Sequence, residues 1–128
     1  DLFKDNTKKM ADLAHKYGAY YMQHSCGAIR PIIPELIDCG VDILNPLQKV
    51  QGLEPEGLQK DFGGKIAFCG GIDPQWLLPG GSPQEVQEEC RRFIDCLGQN
   101  GGYILGPSQG LQTDVPIENV EALYNVLR

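Results

Sequence analysis

Hydrophobic residues recur along this chain at two spacings, one typical of amphipathic helices and one typical of short strands. The first helical stretch covers residues 2–16 and places Phe3 and Met10 on one face. Gly18 follows its end, where a glycine commonly terminates a helix. The short aromatic segment AYYMQH at 19–24 then predicts a strand. The sequence therefore opens with a helix and a strand.

The same alternation continues to the end of the chain. Further strands are predicted for VDILNP, KIAFCGGID and GGYILGP. Helices are predicted over residues 31–39 and 54–62, and others begin at Ser82 and Asp114. The segment SPQE is the clearest helix start, because Ser82 can cap the helix and Glu85 can complete a capping box. The predicted order is α-βα-βα-βα-βα.

This order predicts an α/β fold of parallel (β/α) units, with four strands and about five helices in a single domain over residues 1–128. Four such units are half of an eight-unit barrel or the bulk of a small doubly wound sheet. Each predicted strand ends in polar or glycine-rich residues, which favours half of a TIM (β/α)8 barrel. In that fold the active site lies at the carboxyl ends of the strands.

Composition and charge exclude several classes of function. The chain has 128 residues, 41% of them hydrophobic and 22% charged, as in soluble globular domains. A net charge of −6 argues against nucleic-acid binding. No apolar run reaches the roughly 18 residues that a membrane span needs. The five cysteines form no regular disulfide framework, so we expect free thiols and a cytoplasmic location.

The most reactive pair of side chains follows the first predicted strand, in HSCG. Residues i and i+2 of a strand point to the same side, so His24 and Cys26 should face the same space. Imidazole and thiolate are both ligands of tetrahedral Zn²⁺, and this pair would supply two of four. Alternatively, the histidine is hydrogen-bonded at a strand end and the cysteine packs as a small hydrophobe. The spacing leaves both interpretations open.

Candidate site residues also follow the third strand. Cys69 is either a further thiolate ligand or a core residue. Gly70 and Gly71 remove side chains where a ligand or the next loop must approach closely. Asp73 precedes a proline and is either a turn or cap residue or a carboxylate at the mouth of the site. No dinucleotide-binding, P-loop or GxSxG motif occurs.

The strand ends are recognisable as a set. The segments HSCGAIRPIIPELIDCGVDILNPLQ, FGGKIAFCGGID, LLPGGSPQEVQEECRR and GGYILGPSQGLQTDVPIENVEALY closely resemble the C-terminal half of the uroporphyrinogen decarboxylase superfamily. The resemblance runs from about residue 17 to the end of the chain. It implies strands five to eight of a (β/α)8 barrel. It also implies that the catalytic aspartate of the decarboxylases lies outside this sequence, so the catalytic residues stay unassigned.

The resemblance implies that the parent protein is an enzyme with one of two chemistries. One is zinc-dependent methyl transfer between a corrinoid protein and a thiol such as coenzyme M. In those methyltransferases the metal motif is an H-x-C pair on the fifth strand and a cysteine after the eighth. His24 and Cys26 match the pair, and Gln109 stands at the third position. We therefore expect Zn²⁺ on His24 and Cys26, with Cys69 as a candidate replacement for the third ligand.

The other chemistry is cofactor-free decarboxylation of uroporphyrinogen III in porphyrin biosynthesis. Gly70, Gly71, Asp73 and Gln109 would then line a pocket for a polyanionic macrocycle, although Gln109 replaces the histidine of the decarboxylases. Arg30 is the only arginine near a predicted strand end. One arginine is few for binding a substrate with many carboxylates. A third hypothesis is a non-catalytic barrel that binds a corrinoid or tetrapyrrole without turnover.

The chain opens on Asp1 rather than methionine, which we take as a sign of a fragment. We expect such a half-barrel to be inactive alone and to pair into a homodimer, because open strand edges and an uncovered inner face favour association. The inner face is predicted to comprise Tyr20, Met22, Ile43, Leu44, Ile66, Phe68, Ile104 and Leu105.

Overall fold

A computed structural model describes residues 2–99 and 101–127. The strands are β1 (Met22–His24), β2 (Ile43–Leu47), β3 (Ala67–Gly70) and β4 (Tyr103–Ile104). The helices are α1 (Leu2–Lys16), α2 (Ile33–Asp38), α3 (Pro55–Phe62), α4 (Leu77–Gly80), α5 (Pro83–Leu97) and α6 (Ile117–Tyr124), and a 3-10 turn covers Arg30–Ile32. No helix of these described residues combines the length and apolarity needed to cross a membrane.

The strands form one parallel sheet in the order β1-β2-β3-β4. This confirms the predicted α/β class and the alternation of strands with helices. The strands are shorter than predicted, and β4 has only two residues, although a bridge between Ile72 and Pro107 extends its pairing with β3. The short helix α4 was not predicted from the sequence. Because all neighbouring strands are parallel, the four carboxyl ends lie along one edge of the sheet.

Helix α5 begins as the sequence predicts. The Ser82 side chain accepts a hydrogen bond from the Glu85 amide, and the Glu85 carboxylate accepts one from the Ser82 amide. Its apolar face is buried and consists of Val86, Cys90, Phe93 and Leu97. Because this start depends on neighbouring residues, the local sequence is sufficient to predict it.

The helices cover one face of the sheet. Leu44 and Phe68 are register partners and are fully buried in one apolar cluster with Leu58 of α3 and Val86 of α5. The prediction that Leu44, Ile66 and Phe68 belong to the inner face is therefore wrong. An alternating pattern shows that a strand has two faces, but the helices decide which face they cover.

The opposite face of the sheet is more open. It carries His24 and Asn45 as register partners, and Cys69 beside Ile104. Met22 and Ile104 are 43% and 46% exposed, and both belong to this face as predicted. Tyr20 is exposed in the loop before β1, and Leu105 is half-buried against the core. The homodimer expected from the sequence stays a prediction.

Helix α1 packs chiefly against α2. The helical spacing is confirmed by α1, but its apolar residues differ in burial: Ala11 is fully buried, whereas Phe3 and Met10 are 83% and 52% exposed. An amphipathic pattern indicates a helix, whereas burial also needs a neighbouring element to cover the apolar side.

Candidate metal and substrate site

The site begins with a histidine at the carboxyl end of β1. His24 lies beside Asn45, its register partner in β2. Its Nδ1 atom is 2.9 Å from Asn45 Oδ1. A carbonyl oxygen only accepts hydrogen bonds, so in this contact Nδ1–H donates and Nε2 of the neutral ring presents a lone pair. The imidazole is therefore oriented with Nε2 available as a ligand atom.

The structure brings the predicted H-x-C pair together. Cys26 Sγ lies 3.2 Å from His24 Nε2, and both residues are exposed. In a tetrahedral zinc site, typical Zn–N and Zn–S bond lengths place two such ligand atoms about 3.5 Å apart. The observed separation is close to that value, so the two donor atoms can share one Zn²⁺ after a small adjustment. The pair fits half of a zinc coordination shell.

Gln109 reaches the same sulfur from the loop after β4. Its Nε2 atom donates a hydrogen bond of 3.4 Å to Cys26 Sγ, across 83 positions of sequence. The buried Ser108 holds this loop, since its hydroxyl donates to the Leu47 carbonyl at 2.5 Å and its amide donates to the Ile72 carbonyl at 2.9 Å. The resemblance gave Gln109 as the third site position, and in the structure its side chain lies beside the Cys26 sulfur.

Strand β2 also supports the HSCG loop. The Ser25 amide donates to the Asn45 carbonyl at 2.7 Å, and the Gly27 amide donates to the Gln48 side-chain oxygen at 2.6 Å. Sequence reasoning missed Asn45, Gln48 and Ser108. Their signal was their place near strand ends at this edge of the sheet, with Asn45 inside β2, Gln48 directly after it and Ser108 in the loop after β4.

Cys69 does not join the pair. It is half-buried on the same face as His24, but β2 separates β3 from β1. Two strand spacings amount to about 10 Å, which is too far for ligands of one metal. Among the described residues, no group of three or more His, Cys, Asp or Glu side chains could hold a metal ion. A third-ligand role for Cys69 stays a prediction without geometric support in this structure.

The two glycines after Cys69 are explained by close packing. Gly71 has a φ of +110°, and a Cβ atom on it would lie 2.4 Å from the Phe93 ring of α5. A Cβ atom on Gly70 would lie 3.3 Å from the Pro107 carbonyl oxygen. These positions make room for protein atoms, and their predicted role in substrate binding stays a prediction.

Asp73 is buried, with one carboxylate oxygen accepting a hydrogen bond of 2.9 Å from the Gln75 amide. This is the turn interaction that the sequence suggested. The other oxygen, Oδ2, has no hydrogen bond within the described part of the chain, although Lys49 Nζ lies 3.6 Å away as an ion-pair partner. Its proposed contact with a substrate stays a prediction.

Arg30 is directed at the protein rather than at the site. Its guanidinium donates to the carbonyls of Gly52 at 2.6 Å and Gly57 at 3.2 Å, and it pairs with Asp61. It also lies over the Phe62 ring, 5.5 Å from the centroid. These contacts tie the 3-10 turn to α3. Arg30 therefore has little capacity left for an anionic substrate.

The remaining cysteines differ from Cys26. All five cysteines have free thiols in the structure. Cys39 and Cys90 are buried, and burial raises the pKa of the Cys90 thiol to about 11. Such thiols are inert at neutral pH. Burial also raises the pKa of Tyr103, whose hydroxyl donates to the Gly70 carbonyl at 2.6 Å.

A family model and individual relatives show which known proteins this chain is similar to. The family model described as Uroporphyrinogen decarboxylase (URO-D) matches residues 2–128. The methylcobamide:CoM methyltransferase MtaA of Methanosarcina barkeri (strain Fusaro / DSM 804) is 29% identical over 100 residues, or 78% of this chain and 28% of the relative. A uroporphyrinogen decarboxylase of Wigglesworthia glossinidia brevipalpis is 37% identical over 68 residues, or 53% of this chain and 18% of the relative.

A solved structure of a methyltransferase from Methanosarcina mazei has the same fold. It superposes with a TM-score of 0.75 and 23% sequence identity, over 96% of this chain and 34% of that one. The chain therefore spans only about a third of this structure and, in the comparison above, 28% of the Methanosarcina barkeri enzyme.

Proposed function

Because the chain belongs to the uroporphyrinogen decarboxylase family, we propose that it carries the metal-binding part of a zinc-dependent methyltransferase. The enzyme would move a methyl group between a corrinoid protein and a thiol-type acceptor. The observation that carries this proposal is the 3.2 Å contact between His24 Nε2 and Cys26 Sγ at the carboxyl edge of the sheet. The methyltransferase named for Methanosarcina barkeri, which is similar over 78% of this chain, supports the same chemistry.

Each residue of the site has a distinct part in this proposal. His24 and Cys26 would hold the metal, and Gln109 would donate a hydrogen bond to the Cys26 sulfur. Zn²⁺ bound there would act as a Lewis acid that lowers the pKa of an acceptor thiol. The exposure of both ligands leaves the site open to an acceptor thiol and to a corrinoid protein from outside.

Metal analysis tests the proposal. We expect the protein purified without chelators to bind about one equivalent of Zn²⁺, and His24→Ala to lose it. His15→Ala is the matched control, because His15 is the other histidine of the chain and pairs with Asp42 instead. Less than about a tenth of an equivalent of zinc, unchanged by His24→Ala, would contradict the proposal.

Decarboxylation of uroporphyrinogen is the second candidate function. The specific observation in its favour is the 37% identity to the Wigglesworthia decarboxylase over 68 residues. The engagement of Arg30 with Gly52, Gly57 and Asp61 weighs against it, since a polyanionic substrate needs free cationic groups. Decarboxylation of uroporphyrinogen in an anaerobic assay, unaffected by His24→Ala, would replace the methyl-transfer proposal. Macrocycle binding without any turnover would support the non-catalytic hypothesis.

A further inference from the structure

Asn45 contacts the site through its side chain and its backbone. It is the register partner of His24, so both side chains project from the same face of the sheet. Its carbonyl accepts the Ser25 amide at 2.7 Å, which fixes the backbone between His24 and Cys26. Its side-chain oxygen lies 2.9 Å from His24 Nδ1. Asn45 therefore constrains both the position and the orientation of the imidazole.

The contact also selects one of two forms of the ring. A neutral imidazole carries one N–H, and the hydrogen bond made by one nitrogen determines which nitrogen is left with a lone pair. With Nδ1–H donating to Asn45 Oδ1, the lone pair of Nε2 faces Cys26 Sγ at 3.2 Å. With the proton on Nε2, the same nitrogen would direct a hydrogen at the sulfur and could not bind a metal.

We propose that Asn45 is a positioning residue that holds His24 in the Nδ1–H form with the Nε2 lone pair directed at the metal position beside Cys26. The expected effect of Asn45 on zinc affinity rests on the zinc-dependent function proposed above. Partners of this kind orient metal-binding histidines in proteins, and their loss typically weakens metal binding about 10- to 100-fold.

Nitrogen-15 NMR of the metal-free chain tests the tautomer directly. At mildly alkaline pH we expect long-range proton–nitrogen correlations to show Nδ1–H for His24, and Asn45→Ala to shift the ring toward Nε2–H. Asn45→Asp should retain Nδ1–H, because a carboxylate can only accept. Nε2–H in the unmodified protein, or a tautomer that Asn45→Ala leaves unchanged, would overturn the proposal. If Asn45→Ala does not fold, Asn45→Asp provides the test, and an Nε2–H form of His24 in that variant would also overturn the proposal.

Zinc competition with a chromophoric chelator provides the second measurement. We expect Asn45→Ala to bind Zn²⁺ about 10- to 100-fold more weakly and Asn45→Asp to bind at least as tightly as the unmodified chain. Gln112→Ala is the control, since this exposed amide bonds to the Gly110 carbonyl. Equal affinity of Asn45→Ala and the unmodified chain would overturn the role in zinc binding. If the unmodified chain binds no zinc, the proposed function fails, while the tautomer measurement still decides the role of Asn45.

Discussion

The two histidines of the chain contact opposite ends of the strands, His15 from α1 at the amino edge and His24 at the carboxyl edge, and their partners differ in kind. His15, in the last turn of α1, has its Nε2 atom 2.7 Å from an oxygen of Asp42, which precedes β2. The same oxygen accepts the Tyr21 amide at 2.7 Å. His24, at the carboxyl edge, has a neutral amide on one nitrogen and a thiol on the other.

The difference separates a structural histidine from a candidate ligand. At the amino edge, the carboxylate of Asp42 links a helix and a loop, and the histidine completes that link. At the carboxyl edge, the imidazole is oriented by Asn45 and keeps a ring nitrogen beside an exposed sulfur. Residue type alone does not separate the two positions, whereas the partner of each ring nitrogen does.

The largest expected effect comes from disturbing the packing behind the carboxyl edge. Gly71→Ala should lower the free energy of unfolding by about 2–5 kcal/mol, because the new methyl group meets Phe93 and the backbone has positive φ. Gly102→Ala at the amino edge is the control, since its φ is +90° but no atom lies within 4 Å of a Cβ there. Urea unfolding measures both, and equal losses would contradict the role of the Phe93 contact.

Thiol labelling should show the next largest effect, by separating the exposed Cys26 of the carboxyl edge from the buried thiols. Cys26 is exposed, whereas Cys39 and Cys90 are buried, so we expect Cys26 to react with iodoacetamide at least about a hundredfold faster than either. Mass spectrometry identifies the labelled sites. Added Zn²⁺ should protect Cys26 and leave the half-buried Cys96 unaffected. Unchanged labelling of Cys26 in saturating zinc would argue against its role as a ligand.

Alanine variants of the two histidines should differ in their effect on stability. His15→Ala should lower the free energy of unfolding by about 0.5–1 kcal/mol, a small value because its pair with Asp42 is partly exposed. His24→Ala should change the unfolding free energy of the metal-free protein by less than about 0.5 kcal/mol. Denaturation in the presence of a chelator provides the measurement. A larger loss for His24→Ala would mean that this histidine is chiefly structural.

The smallest effect concerns pH at the amino edge. Burial alone would raise the pKa of Asp42, but the hydrogen bonds from Tyr21 and His15 outweigh it and hold the pKa below its ordinary value. A carboxyl group whose pKa is lower in the folded than in the unfolded state stabilises the protein at pH values above its unfolded pKa, which is about 4 for aspartate. This contribution is lost as the pH falls through the pKa of the folded state.

Comparison of the unmodified protein with Asp42→Asn tests this dependence. The difference in unfolding free energy should be constant between about pH 5 and 6 and decline below about pH 4. Asp95→Asn, on the exposed side of α5, is the control. A difference that grows as the pH falls would have the wrong sign and would contradict the assignment.

The parts of the fold that could be predicted depend on neighbouring residues. The capping box of Ser82 and Glu85 spans three positions, and it starts α5 as predicted. The H-x-C spacing likewise sufficed to place His24 and Cys26 on one side of the chain, because side-chain direction alternates along a strand. The order of strands and helices followed from the same local periodicities.

The errors concern contacts between distant segments. Leu44 and Phe68 were assigned to the inner face, because alternation does not show which side the helices cover. Phe3 and Met10 lie at the helical spacing of an apolar face, yet they are 83% and 52% exposed. The third-ligand role of Cys69 stays a prediction, and the strand order, with β2 between β1 and β3, is likewise a feature that the local sequence does not show.

The sequence by itself determined the alternation of strands and helices, the start of α5 and the pairing of His24 with Cys26, since each depends on residues a few positions apart. Only the tertiary structure decided which residues join that pair. Asn45 and Gln109 reach it because parallel strands end at one edge and Ser108 holds the last loop against β2. The geometry of a site built from three strand ends depends on register and loop anchoring, which no short stretch of sequence specifies.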